Sequence, residues 1–301
     1  MPVTEVSFHS DRLRIAALLY APEPRGGAPR PAIVMVQGMA GGKELFGFPR
    51  IAESFNALGY IALTFDYRGV GQSEGERGRL FPQELVEDVR NAVTFLEQQP
   101  DVDAARIALW GTSFGAAAVP YAAAVDGRVC AAVSIVGFGD GERWLLAGRT
   151  AEQRSALERR IGADRRQRVL TGKSELIAPS ELFAPDAKSA EVRARVVNAP
   201  PGIDARTPPL TLESAERILD FRPASVVERI APRPLLFIAA ECDTVTPADG
   251  VADMYWRARE PRRLEILPGI THYEVYGEPH VGRIIRWTHD WLSGARAASR
   301  P

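Results

Sequence analysis

The chain has 301 residues and is 46% hydrophobic, which is enough for one large folded domain or for one domain that carries an insertion. Its 37 basic and 38 acidic residues leave a formal charge of −1, so composition gives no electrostatic argument for nucleic acid or an anionic membrane as a partner. We therefore expect a small-molecule partner.

The cysteines and the N-terminal residues indicate where the protein works. Cys130 and Cys242 are too few for a disulfide framework or a thiolate metal site, and we expect both to be buried thiols in a reducing compartment. Residues 1–13 carry charges where a signal peptide needs an apolar core, and no apolar run is long enough to span a bilayer. We expect a cytoplasmic protein with no metal, no cofactor and no membrane partner.

The first half of the chain alternates predicted strands and helices. Residues 3–8 and 14–20 alternate apolar and polar side chains and predict an antiparallel pair at a sheet edge. The further predicted strands span residues 31–36, 60–65, 106–110 and 129–136. The predicted helices between them span residues 48–58, 81–98 and 116–125. This order predicts a mostly parallel sheet covered by helices.

Residues 139–222 differ from the rest, because arginines are dense there and buried-strand patterns are missing. We interpret this segment as a helical cap inserted over the functional site, and its partly apolar, arginine-rich surface as a candidate homodimer contact. The segment includes a looser proline-containing stretch around Pro200, Pro201, Pro208 and Pro209.

The arginines of this segment have two interpretations. The segment holds 15 basic and 13 acidic residues, which favours a solvated helical face with paired charges. The alternative is that one or more arginines contact an anionic substrate. The arginines considered are Arg143, Arg149, Arg154, Arg159, Arg160, Arg165, Arg166 and Arg168.

The alternation resumes after the segment. The predicted helices span residues 223–230, 251–258 and 282–292, and the predicted strands span residues 233–240 and 263–267. Residues 1–138 and 223–301 are thus predicted to form one core, with 139–222 as the cap.

The motif Gly111-Thr-Ser113-Phe-Gly115 joins a predicted strand to a predicted small-residue helix. At such a turn a serine is held in a strained backbone conformation that exposes its hydroxyl, and the flanking glycines avoid collisions with the neighbouring strand and helix. We interpret Ser113 as a nucleophile.

A serine nucleophile needs a base, and the chain offers four histidines. His9 lies in an N-terminal strand, while His280 and His289 lie at or in the terminal helix, where surface or packing roles are expected. His272 follows the strand ending at residue 267 in a glycine-containing loop, on the same sheet edge as the nucleophile. The sequence therefore favours His272 as the base.

The base needs a carboxylate partner that fixes its orientation. Asp243 lies in a turn just past the strand 234–240, while Glu241 is close to the strand end and Asp249 begins a helix. We therefore predict Asp243. The order of nucleophile, acid and histidine is the one associated with the α/β-hydrolase architecture.

Backbone N–H groups are expected to stabilise the oxyanion that forms on a substrate carbonyl. Phe114 follows the nucleophile at a helix N-terminus, and Met39 lies in the glycine-rich loop 37–42 after a predicted strand. Taken alone, that loop could be a tight turn or a weak phosphate cradle, but no phosphate-binding signature accompanies it.

With these motifs, the chain resembles the α/β-hydrolase superfamily, and more narrowly its dienelactone-hydrolase-like and capped bacterial esterase members. It is also similar to fungal polyketide-transferase-type hydrolases. The resemblance implies a mostly parallel eight-stranded sheet flanked by helices, with an inserted helical cap. It rests on residues 37–42, 66–73 and 111–115 and on the loops that hold Asp243 and His272.

The resemblance also implies that the stretch 66–73 is mainly structural, so Asp66 and Arg68 receive no chemical role. One departure is Gln37, at a position where many relatives carry histidine. This leaves the Met39 N–H in place but changes the hydrogen bonding of its loop.

These residues predict a serine hydrolase that cleaves a small carboxylic ester, thioester or lactone through an acyl-enzyme. An acyltransferase with a non-water acceptor is the first alternative, and a non-catalytic binding protein is the second. Peroxidase-like or C–C-cleaving variants could use the same triad. Aromatic side chains are candidates for an apolar substrate lining, although such residues more often belong to the core. They are Phe46, Phe48, Phe138, Trp144 and Tyr273.

Overall fold

The computed structural model describes residues 3–22, 28–39, 41–183, 186–197 and 208–298. The strands in chain order are β1 (Val3–Ser10), β2 (Leu13–Tyr20), β3 (Arg30–Val36), β4 (Ile61–Phe65), β5 (Val102–Thr112), β6 (Val129–Ile135), β7 (Leu176–Ile177), β8 (Leu210–Thr211), β9 (Leu235–Ala240) and β10 (Arg262–Leu267). All of them except β7 and β8 form one eight-stranded sheet.

The sheet is mostly parallel, as predicted. Its strand order is β1-β2-β4-β3-β5-β6-β9-β10, with β2 antiparallel to both of its neighbours and every other pair parallel. The first two strands form the predicted antiparallel pair at one edge. Strand β5 lies between β3 and β6, so its C-terminal end is central in the sheet.

Helices cover the sheet. They are α1 (Phe48–Ala57), α2 (Pro82–Glu97), α3 (Phe114–Val125), α4 (Gly141–Leu145), α5 (Ala151–Thr171), α6 (Pro179–Leu182), α7 (Ala187–Val196), α8 (Leu212–Leu219), α9 (Ala248–Arg257) and α10 (His280–Ala298). No helix of the described ranges is long and apolar enough to cross a membrane.

The core lies on both faces of the sheet because side chains alternate along each strand. In β5, Leu109 belongs to the apolar cluster that includes Val89 of α2, whereas Trp110 belongs to the cluster that includes Phe55 of α1. Helix α1 begins with Phe48 and Pro49 and is followed by Gly59 at φ +91°, a conformation that glycine adopts without strain. Buried strands thus hold the loops at their C-terminal ends in fixed positions.

The described residues of the segment 139–222 form helices α4 to α8 and the short antiparallel ribbon of β7 and β8. The charges in this segment are largely paired, as the favoured interpretation of the arginines predicts. Arg168 forms ion pairs with Asp164, Glu213 and Glu216, and Arg160 forms ion pairs with Glu175 and Glu181. Pro200 and Pro201 lie outside the described residues.

Two expectations about local structure were wrong. Residues 223–230 form two short 3₁₀ turns, Pro223–Ser225 and Val227–Ile230, because Val226 between them departs from helical geometry at φ −124°. Cys242 is exposed and Cys130 is half-buried, so the two cysteines are not both buried thiols. Cys242 lies in the turn after β9, where its neighbour Asp243 takes the buried position.

Candidate active site

Ser113 occupies a sharp turn between β5 and α3. Its backbone lies at φ 55° and ψ −120°, a strained region for a residue with a side chain, and its N–H donates to the carbonyl of Ile135 at 2.9 Å. A Cβ on Gly111 would lie 2.7 Å from the Gly115 carbonyl oxygen, and one on Gly115 would lie 2.3 Å from the Val36 carbonyl oxygen. Only glycines at both positions allow this close packing around the serine.

The structure brings the three predicted side chains together. The Ser113 Oγ lies 2.9 Å from His272 Nε2, and the His272 Nδ1 lies 2.7 Å from Asp243 Oδ2. His272 is 1% exposed and begins the 3₁₀ turn His272–Tyr276 after β10. The nucleophile, base and acid candidates come from the loops after β5, β10 and β9, which meet at one edge of the sheet.

Several donors orient the Asp243 carboxylate. Its Oδ1 accepts hydrogen bonds from the N–H groups of Val245 and Thr246, both at 2.8 Å. Its Oδ2 accepts from the Thr246 hydroxyl at 3.0 Å as well as facing His272. A carboxylate held in this way fixes the imidazole so that Nε2 faces the serine. The two weaker acid candidates lie elsewhere, since Glu241 accepts from the Gly269 N–H and Asp249 pairs with Arg143 at the surface.

The predicted oxyanion donors lie beside the serine. Phe114 is the first residue of α3, so its N–H has no acceptor within the helix. Gly38 precedes Met39, and a Cβ on Gly38 would lie 3.1 Å from the Ser113 Cβ and 3.5 Å from its Oγ. The loop after β3 therefore approaches Ser113 so closely that a side chain at residue 38 would crowd the Ser113 hydroxyl.

A buried network supports that loop. The Lys43 N–H and Nζ donate to the two carboxylate oxygens of Asp66 at 2.7 and 2.9 Å, and the same Nζ donates to Gln72 Oε1 at 2.7 Å. Gln37 is 1% exposed, and its side-chain Nε2 donates to the Phe65 carbonyl at 2.8 Å. The backbone carbonyl of Gln37 accepts a hydrogen bond from the Tyr67 hydroxyl. These hydrogen bonds of the stretch 66–73 fix the loop after β3, and none of them involves Ser113, Asp243 or His272.

A narrow cavity of about 30 Å³ lies over Ser113. Its walls are mostly aromatic and come from the core and from the segment 139–222. They are formed by Gly38, Met39, Phe46, Ser113, Phe114, Trp144, Phe183, Arg193, Val245, His272, Tyr273 and Tyr276. The cavity therefore brings aromatic side chains from both parts of the chain next to Ser113.

The predicted lining residues divide into three groups. Phe46, Trp144 and Tyr273 lie in the cavity wall. Phe138 stacks behind Trp144 with ring centroids 4.3 Å apart and borders a neighbouring surface pocket. Phe48 is fully buried against Trp110, so its expected place in the lining was wrong. As the first residue of α1, it belongs to the face that packs on the sheet.

Two tyrosines in the wall are neutral hydrogen-bonding groups. Burial raises the pKa of Tyr273, and the nearby Arg193 charge opposes that rise. Burial also raises the pKa of Tyr276. The Tyr276 hydroxyl lies 3.8 Å from the point that a Gly38 Cβ would occupy, close to the nucleophile.

Comparison with known families agrees with this architecture. The X-Pro dipeptidyl-peptidase (S15) family matches residues 11–191, which is more than half of the chain. The chain belongs to the S15 family of α/β hydrolases. The predicted superfamily and fold are thereby confirmed.

Relatives of this S15 chain match it over most of their length. An uncharacterised 31.7 kDa protein of Escherichia coli is 29% identical over 270 residues, covering 89% of this chain and 92% of the relative. The thiohydrolase aneE of Aspergillus aculeatus is 28% identical over 310 residues, covering 97% of this chain and 94% of the relative.

The polyketide transferase grgF of a Penicillium species resembles this chain in both sequence and structure. It is 28% identical over 286 residues, covering 92% of each chain. The crystal structure of the α/β hydrolase GrgF superposes with a TM-score of 0.84 at 26% identity and covers 99% of this chain and 100% of the other.

Sequence reasoning on this S15 chain missed several wall residues. Tyr276 lies four positions after His272, and that short spacing was the only available signal for it. Phe183 and Arg193 belong to the segment 139–222, where no motif marked them. Their place in the wall depends on how that segment folds back over the sheet.

Proposed function

We propose that this protein is a serine hydrolase that cleaves a carboxylic ester, thioester or lactone of a small organic substrate. The hydrogen-bonded chain from Ser113 through His272 to Asp243, at a strained strand-to-helix turn, carries the proposal. The thiohydrolase and transferase names of two relatives support chemistry at an acyl carbonyl.

In the proposed reaction, the Ser113 oxygen attacks the carbonyl carbon while His272 Nε2 accepts the hydroxyl proton. The N–H groups of Met39 and Phe114 stabilise the oxyanion, each contributing about 3 kcal/mol to the transition state. The imidazolium then protonates the leaving alcohol or thiol. Water, activated by His272, attacks the acyl-enzyme and releases the acid.

We assign residues 139–222 as a cap over the acyl site, between core parts 1–138 and 223–301. Trp144, Phe183 and Arg193 reach the cavity from this segment, which supports the assignment. We place the acyl group of the substrate in this cavity, between the segment and the core.

Burst kinetics on p-nitrophenyl esters of graded chain length, beside Ser113→Ala, test the proposal. A burst of one p-nitrophenol per chain that is absent from the variant is the expected result. Steady-state kcat should fall by at least about 10⁴-fold in the variant. A folded wild-type protein that neither turns over esters or thioesters nor reacts with a fluorophosphonate at Ser113 would favour the binding-protein alternative.

Acyl transfer is a second candidate, favoured by the similarity to the polyketide transferase grgF over 92% of the chain. Product analysis with and without an added alcohol or amine distinguishes it from hydrolysis. A new ester or amide that forms at the expense of free acid would indicate transfer. An X-Pro p-nitroanilide, in which the proline of a dipeptide carries the anilide, tests the amide cleavage that the family name describes.

A further inference from the structure

Trp144 separates the cavity over Ser113 from a second pocket at the surface. The second pocket is bordered by α4 and α9, and its wall includes Phe138, Pro247 and Gly250. Of the residues that the structure describes in these two walls, Trp144 alone belongs to both. Its side chain is therefore the partition between the two spaces.

Contacts on several sides fix the Trp144 indole. Its Nε1–H donates to the Val245 carbonyl at 2.7 Å. Its ring stacks on that of Phe138, with centroids 4.3 Å apart and an interplanar angle of 9°. The rings of Phe114 and Phe183 lie at centroid distances of 6.3 and 6.1 Å. An indole that is stacked and has its one donor satisfied holds a defined orientation, so the partition is a fixed wall.

The aromatic side chains around Ser113 form two groups by their ring contacts. The His272 ring meets that of Tyr273 edge to face at 4.9 Å, and Tyr273 stacks with Phe46 at 6.2 Å. Trp144 and Phe114 belong to the other group. Because His272 protonates the leaving group in the proposed reaction, that group departs on the His272 side. The acyl group then faces the Trp144 side.

We infer that Trp144 is the end wall of the acyl site and restricts the enzyme to short acyl groups. This inference rests on the proposed acyl-enzyme at Ser113. An acyl chain that extends away from His272 meets the indole, and a close-packed wall does not admit a further methylene without strain. Without the indole, the two spaces join and a longer chain extends past Phe138 into the second pocket.

Gly250 allows the second pocket to be closed from its other side. It belongs to α9 and lies in the wall of that pocket. A Cβ at Gly250 would lie 3.9 Å from the Phe138 Cα, which is an ordinary contact distance. Leucine also favours a helix over glycine, so Gly250→Leu is compatible with the fold and fills space that a long acyl chain would need.

Two ester series test this inference. The first varies the acyl group from acetyl to lauroyl on p-nitrophenol, and the second varies the alcohol from methanol to dodecanol on an acetyl group. The value of kcat/KM is measured for the wild type, Trp144→Ala, Trp144→Phe and the double variant Trp144→Ala with Gly250→Leu. The control Trp256→Ala removes an indole that is 71% exposed on α9.

In the wild type, kcat/KM should stop rising at a short acyl group. In Trp144→Ala it should continue to rise, by about fourfold for each further methylene that becomes buried. Trp144→Phe should give a smaller gain, the double variant should lose the gain, and Trp256→Ala should keep the wild-type optimum. The optimum of the alcohol series should be the same in every protein.

Three results would overturn the inference. The first is a wild-type kcat/KM that rises steadily to lauroyl, which is decisive even if no variant folds. The second is a Trp144→Ala protein that reacts with a fluorophosphonate at Ser113 but keeps the wild-type acyl optimum or shifts its alcohol optimum instead. The third is a gain that persists in the double variant, because the longer chain would then lie outside the second pocket.

The same data separate this inference from the proposed function. Ser113-dependent turnover with one acyl optimum in every protein would contradict the role of Trp144 alone. Absence of turnover with every ester and thioester, together with no fluorophosphonate adduct at Ser113, would overturn the proposed function and this inference with it.

Discussion

Gly115 is the second residue of α3, directly behind the nucleophile turn. In most helices, replacing glycine with alanine stabilises the chain by about 1 kcal/mol. Here the new Cβ would lie 2.3 Å from the Val36 carbonyl oxygen and 2.4 Å from that of Gln37, and both of these atoms are backbone. The steric cost therefore exceeds the helix-propensity gain.

We predict that Gly115→Ala lowers the free energy of unfolding by about 2 kcal/mol or more, because the backbone of β3 must shift. Ester turnover should also fall, since that strand leads into the loop of Met39. Gly127→Ala is the control, because nothing lies within 4 Å of its Cβ position. Urea denaturation of both variants checks the prediction, and equal stability of the two would contradict it.

Lys43 illustrates how one buried charge supports the loop after β3, where we propose one of the oxyanion donors. Its side chain is 4% exposed and that of its partner Asp66 is 2% exposed. We predict that Lys43→Met destabilises the fold by about 3 kcal/mol, because the Asp66 charge remains buried without its cation. In the fraction that stays folded, kcat should fall as the loop loosens.

Urea denaturation measures the loss of stability in Lys43→Met, and ester kinetics measure its kcat. Lys173→Met is the exposed control. A variant as stable and as active as the wild type would show that the loop holds its position without the ion pair.

At the scale of elements, α7 depends on its N-cap. Asp186 accepts hydrogen bonds from Thr244 and from the Ser189 N–H and hydroxyl, and these lower its pKa from 3.8 to about 2. A carboxyl whose pKa is lower in the folded state adds stability above its unfolded pKa and loses that contribution as pH falls through its folded pKa. The docking of α7 should therefore weaken between about pH 4 and pH 2.

Asp186→Ala should remove this pH dependence. We predict faster amide hydrogen exchange in α7 than in the wild type near neutral pH, with the difference shrinking as pH falls toward 2. Hydrogen exchange at several pH values measures it, with α2 as the internal reference. A difference that stays constant with pH would mean that the carboxylate does not hold the helix.

The same elements show what sequence could predict. The strands of the sheet carry continuous apolar runs, and the nucleophile turn carries its glycines in a fixed spacing, so Ser113, Asp243 and His272 could be placed at one sheet edge from local patterns alone. Arg193 and Phe183 could not be found in this way. They reach the cavity through long-range packing of a polar helical segment, and neither its periodicity nor its composition encodes which face turns inward.

Local backbone geometry also explains why the predictions for residues 223–230 and for Phe48 were wrong. Residues 223–230 have helical composition, but the Val226 conformation divides them into two short turns. Phe48 and Phe46 are close in sequence, yet the left-handed Gly47 between them at φ +69° separates their directions, so only Phe46 reaches the cavity. Both Phe46, at φ +54°, and Gly47 have left-handed backbone angles, so two consecutive residues redirect the chain at this point.

At the scale of the whole molecule, the segment 139–222, which we propose as a cap, shares one apolar cluster with the rest of the chain. Leu157, Ile161 and Ile218 of this segment belong to the same cluster as Leu109 and Phe114. We predict that the two parts unfold in a single cooperative transition, because neither part keeps its apolar contacts without the other. Coincident urea curves from far-ultraviolet circular dichroism and tryptophan fluorescence would agree with this. An earlier circular-dichroism transition would contradict it, because the segment 139–222 holds helices α4 to α8 but only one of the five tryptophans.

The central claim is that Ser113 carries the acyl group, and peptide mapping after an acid quench in the first turnover tests it most directly. The protein is mixed with a thioester, quenched within milliseconds and digested, and the masses of the peptides are measured by mass spectrometry. One acyl group per chain on Ser113, absent from Ser113→Ala, is the predicted result. Turnover by the wild type with no adduct on Ser113, or full activity in the variant, would contradict the account.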